Sequence, residues 1–111
     1  MNVKIRTHGL KRSHNLNNHI RSRLYFVLSR YGRKIRGIEV ALSNVNGSRA
    51  ESEIKCLITI KLDHFQSIVV HYTAPDTYEA VDNCSKRAKR ELEKHLNHIR
   101  KQQRSPYHRY A

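Results

Sequence analysis

The side chains best placed to do chemistry are cations, and the chemistry they suggest is anion binding. Arg87, Arg90, Lys94, His98 and Lys101 follow one another at spacings of 3, 4, 4 and 3. On a helix turning 100° per residue that spacing forms one ridge, bordered only by Glu91. The other flank is expected to be self-paired, Asp82 with Lys86 and Lys89 with Glu93, both at i,i+4. Upstream, His19, Arg23, Phe26 and Arg30 fall on one edge at spacings of 4, 3 and 4, with Arg21 elsewhere on that surface. A basic run on one helix is usually a solvated face. Two such runs in one small domain repel each other unless a polyanion compensates, and Tyr25, Phe26 or a histidine could stack on bases between phosphate contacts.

Other chemistries fit less well. The chain has eight histidines, but His95/His98 and His14/His19 have no third or fourth ligand at a defined spacing, so no metal is expected. Cys56 and Cys84 read as small core residues, each on the inward side of its element. The acids Asp76, Glu79 and Asp82 suit the positive end of a helix better than acid–base work. No phosphate loop, Gly-x-Ser-x-Gly or His-Glu-x-x-His motif occurs. The reading is therefore non-enzymatic, with no cofactor and no small-molecule substrate.

These residues need elements to position them. "NVKIRT" alternates Val3 and Ile5 against Lys4 and Arg6, a short strand. Ser13 can cap a helix running to Tyr31, with Leu16, Ile20, Leu24, Val27, Leu28 and Tyr31 as its apolar stripe and Gly32 as its stop. Ile38, Val40 and Leu42 mark a second strand. "NVNGSRAES" is a turn-rich loop. Ile54, Cys56, Ile58, Ile60 and Leu62 mark a third strand, "DH" a turn, and Ile68, Val70 and Tyr72 a fourth strand. Pro75 precedes a second amphipathic helix over 76–102, with Val81, Cys84, Ala88, Leu92, Leu96 and Ile99 inward. The expected class is α+β, order β-α-β-β-β-α: one four-stranded mixed sheet with both helices on one face. The first two strands, joined by a crossover, should be parallel. Residues 1–103 form one domain, and 104–111 a loose basic tail.

Composition agrees. The 111 residues suffice for one core, and the net charge is +13. Residues 1–37 hold ten Lys/Arg and no acid, 38–85 hold three against seven acids, and 86–111 hold nine against two. Charge so concentrated at the two ends points to nucleic acid. No run of about 20 apolar residues would span a bilayer, so no membrane is implied. Without an export signal, the two cysteines are expected to stay reduced in the cytoplasm.

The capped helix "SHNLNNHIRSRLYFVLSRY", the strand "IEVALS" and the segment "DTYEAVDNCSKRAKRELEKH" together resemble the ribosome hibernation promoting factors, also called ribosome-associated translation inhibitors. The resemblance spans Val3 to Ile99. It rests most on Asp76, Tyr78, Ala80, Val81, Asp82, Arg87, Arg90, Leu92, Lys94 and His95. It implies a fold laid out like double-stranded RNA-binding domains. It also implies binding of basic helices to rRNA of the small ribosomal subunit, between head and body. Translation would be blocked at the mRNA and tRNA sites in stationary phase or stress. The site residues so implied are Arg23, Arg30, Arg87, Arg90 and Lys94. Lys86 and Lys89 add charge where many relatives carry acids, and His98 and Lys101 extend the ridge. Ala88, Leu96, Tyr25 and Phe26 depart from the pattern. No long C-terminal extension follows, so a short-form member is expected. Two alternatives stand beside this one: a general structured-RNA binder, and a protein-interaction modulator of a sigma factor.

Overall fold

The fold is seen in a computed structural model, which describes residues 2–46 and 52–104. Strand β1 (Val3–His8) leads to helix α1 (His14–Leu28) and a 3₁₀ segment (Ser29–Lys34). Strands β2 (Ile35–Asn44), β3 (Ile54–Leu62) and β4 (Ile68–Ala74) follow, then helix α2 (Thr77–Arg104). The sheet order is β1-β2-β3-β4. β1 and β2 are parallel, with Ile5 opposite Val40, and the other pairings are antiparallel. This is the expected α+β layout.

Period-two alternation sets the sheet's two faces. Ile38, Val40 and Leu42 of β2 and Ile54, Cys56, Ile58, Ile60 and Leu62 of β3 are buried. Their alternates remain partly open to solvent. Both helices cover the buried face: α1 with Leu16, Ile20, Leu24, Val27 and Leu28, α2 with Val81, Cys84, Ala88, Leu92 and Leu96. Ser85 is also fully buried, and its hydroxyl donates to the Val81 carbonyl at 2.7 Å, which satisfies the group within its own helix. Cys84 Sγ donates to the Cys56 carbonyl at 3.3 Å. The Cys84 side chain and burial hold the Cys56 thiol well above its ordinary pKa. Both cysteines are buried core residues, as their positions suggested.

Local chemistry fixes the ends. Ser13 caps α1, its hydroxyl accepting from the Leu16 N–H at 3.1 Å. Asp76 caps α2, accepting from the Glu79 N–H at 3.0 Å, and Pro75 stands outside the helix. His64 takes a left-handed φ of 65° in the "DH" turn between β3 and β4.

Two helix ends and one strand register differ from expectation. α1 stops at Leu28, not Tyr31, and Gly32 lies inside the 3₁₀ segment. The continuous apolar stripe ends at Leu28, and the 3₁₀ segment rises more steeply per residue into β2. A register shift between Ile35 and Gly37 lets Ile35 join the core with Ile38, three residues away. α2 continues through Arg104, two residues past the expected end. Most of the turn-rich loop and residues 105–111 lie outside the described residues.

Candidate nucleic-acid interface

The ridge on α2 exists and faces outward. Arg87, Arg90, Lys94, His98 and Lys101 are all exposed, as is Lys86, while Lys89 is half-buried. Lys94 has Glu91 at 3.5 Å, one turn away. Its side chain is 71% exposed, so water screens that pair almost completely. Arg87 is better fixed. Its guanidinium donates to the His71 carbonyl at 2.8 Å and lies 5.2 Å from the Tyr72 ring centre. The outer edge of β4 thereby aims one end of the ridge.

The edge on α1 is different. Asp82 does not pair with Lys86. It reaches α1, where His19 Nε2 lies 2.7 Å from its carboxylate and Arg23 Nε 3.7 Å. His19 also packs edge-on against Tyr78, ring centres 4.8 Å apart. Nor does Glu93 pair with Lys89: its carboxylate accepts the Tyr31 hydroxyl. That bond, then burial, then the Glu93 charge raise the Tyr31 pKa. Two basic groups of the acid-free helix α1, His19 and Arg23, are therefore matched by one acid of α2, Asp82. Of its two predicted cations, Arg23 is half-buried in the seam, its guanidinium 5.8 Å from the Phe26 ring centre. Arg30 is exposed, 5.9 Å from the Tyr31 ring centre. The two-ridge expectation is thus corrected to one open ridge on α2 and one seam, with Arg30 at the seam's outer end.

Charge also lies where spacing along the helices could not show it. The open face of the sheet carries Lys4, Arg6 and His8 from β1, Lys55 and Lys61 from β3, and His71 from β4. Glu39 is the acid among them. The hydrogen bond from Lys61 at 2.9 Å, and that residue's charge, lower its carboxyl pKa. The alternation of β1 was the available signal. Arg12 and Arg21 are occupied in holding β1, donating to the carbonyls of Ile5 and Val3 at 2.9 and 3.2 Å. Beyond the seam, Arg30, Arg33, Lys34 and Arg100 meet around a cleft of about 610 Å³. No group of three or more potential metal ligands occurs among the described residues. None of their helices is long and apolar enough to cross a membrane.

An exposed cationic ridge flanked by half-fixed arginines suits a phosphate backbone: charge attracts, and the fixed guanidinium limits the entropy lost on contact. Residues 3–100 match the family model described as Sigma 54 modulation protein / S30EA ribosomal protein. No curated protein sequence matches the chain. The fold is similar to that of a ribosomal subunit interface protein from Coxiella burnetii, with a TM-score of 0.74 and 16% identity over 87% of this chain and 99% of that one. It is also similar to the N-terminal domain of Protein Y from Thermus thermophilus, with a TM-score of 0.70 and 18% identity over 85% and 98%. At those identities the likeness is one of fold.

Proposed function

We propose, from the premise that this chain belongs to the Sigma 54 modulation protein / S30EA ribosomal protein family, that it is a ribosome-associated translation inhibitor of the hibernation type. It binds rRNA of the small ribosomal subunit and occupies space needed by mRNA and tRNA during stationary phase or stress. The single observation that carries this reading is the open ridge Arg87, Arg90, Lys94, His98 and Lys101 on a family-matched helix. Arg30 and Lys86 extend the surface, while Arg23 and Lys89 support it from the seam side. The role is occlusion, and no chemical step is involved.

The Coxiella burnetii protein of like fold is described as a ribosomal subunit interface protein, which agrees with this placement. The test is sedimentation of a stationary-phase lysate through a sucrose gradient. The protein should travel with the small subunit and whole ribosomes. Finding it at the top of the gradient overturns the proposal. The family description also names sigma 54 modulation. That role requires a stable protein partner whose binding changes little with salt. A general RNA binder would instead hold free duplex RNA as tightly as ribosomes.

A further inference from the structure

The cleft beyond the helical seam has two unlike halves. One half, of about 610 Å³, is polar and cationic, with Arg30, Arg33, Lys34 and Arg100 around it and Ser29 and Asn97 between. The other half, of about 340 Å³, has an apolar floor of Leu62, Leu96 and Ile99 and is flanked by Phe65. Phe65 remains 46% exposed, an aromatic side chain left uncovered beside arginines. Arg33, Lys34, Leu96 and Arg100 line both halves, so the two adjoin.

The acids are divided in a telling way. Glu93 borders the cationic half, but its carboxylate already accepts the Tyr31 hydroxyl. Asp63 borders only the apolar half. A ligand suited to this arrangement is anionic at one end and flat and apolar at the other, with a hydroxyl or amino donor near Asp63. Both volumes lie within the roughly 300–1,000 Å³ common for small-ligand sites.

We propose that this cleft binds a nucleoside phosphate. The phosphates sit among Arg30, Arg33, Lys34 and Arg100, where guanidinium forks match phosphate oxygens. The base lies against Phe65 over Leu96 and Ile99, and a ribose hydroxyl or exocyclic amine donates to Asp63. The same chemistry is offered by a free nucleotide and by one nucleotide of an RNA strand. The site shares only Arg30 with the proposed ribosome-binding surface, so either proposal can fail without the other.

The test is an amide NMR titration of the whole protein with ATP, inorganic triphosphate, adenosine and a single-stranded RNA pentamer, in parallel. ATP or the pentamer should shift the amides of Arg33, Lys34, Phe65 and Ile99 saturably. Saturation by ATP identifies a free-nucleotide site. Saturation by the pentamer with ATP silent identifies a nucleotide within RNA. Phe65→Ala should weaken the nucleotide about tenfold, the loss typical of one stacked base, and leave inorganic triphosphate unchanged. Arg33→Ala combined with Arg100→Ala should weaken every phosphate-bearing probe that binds the cleft about tenfold or more. These side chains are exposed, so a well-dispersed spectrum will show that the variants fold. Shifts confined to the Arg87–Lys101 ridge, or no saturable shift in the cleft with either ATP or RNA, overturn the proposal.

Discussion

The two helices are built alike on the inside and unlike on the outside. Each lays an apolar stripe on the same sheet face, through Ile20, Leu24 and Leu28 in α1 and Val81, Leu92 and Leu96 in α2. Outside, α1 has no acid, yet His19 and Arg23 are matched by Asp82 of its neighbour. α2 has acids, yet its ridge meets only Glu91, at 3.5 Å. Charge composition therefore does not identify the free cations. A helix without acids can have cations matched by its neighbour, while one that contains acids can leave a whole face open. The open face is where a polyanion gains most, because its only acid partner is Glu91, in a largely solvent-screened pair with Lys94.

Reversing charge on the ridge should have the largest effect. Arg87→Glu, Arg90→Glu and Lys94→Glu together should reduce ribosome affinity at least a hundredfold, measured by pelleting. The circular dichroism spectrum should be unchanged, since these side chains are exposed. Arg23→Glu should instead disturb the seam beside Asp82, with loss of thermal stability exceeding its loss of binding.

The inner likeness is tested by Leu24→Ala and Leu92→Ala. Both side chains are fully buried, and each change should cost about 2–5 kcal/mol in urea unfolding. Unequal losses beyond that range would mean that one helix anchors the domain alone.

Asp82→Ala removes the acid that α2 lends to α1. The pair is partly exposed, with Asp82 at 39%, so stability should fall by only about 0.5–1 kcal/mol. Ribosome affinity should hold or rise slightly, because His19 and Arg23 are released.

Tyr31→Phe should matter least, and its signature is pH. The Tyr31 pKa is raised above 10.0 in the folded state, first by the hydrogen bond to Glu93. Its contribution is therefore fully present below about pH 10 and is lost as pH rises through the folded value. The wild type should lose stability in that alkaline window, and Tyr31→Phe should lose less. Equal alkaline slopes in the two proteins would remove Tyr31 from the account.

Much of the layout was legible in the sequence because it follows from local period. Alternation marked the four strands, the 3.6-residue period marked both helices, Ser13 declared itself as a cap, and Asp76 and Glu79 marked the start of the second helix. The misses share one cause: they depend on residues distant in sequence. Ile35 enters the core through a bulge, which a strict period of two cannot anticipate. Asp82 prefers His19, 63 positions away, to the i,i+4 partner Lys86. Glu93 likewise accepts from Tyr31, 62 positions away, rather than turning to Lys89. The α2 ridge was readable because one helix carries it all. The seam and the cleft around Arg33, Lys34 and Arg100 require the packed fold.

The most direct test of the central claim is the salt dependence of affinity for purified small ribosomal subunits. With roughly six phosphate contacts, a plot of log affinity against log salt should fall with a slope near −5. Arg87→Glu, Arg90→Glu and Lys94→Glu together should flatten that slope by about three. A slope near zero in the wild type, or one that the triple change leaves intact, would contradict the assignment of the α2 ridge as the RNA-binding surface.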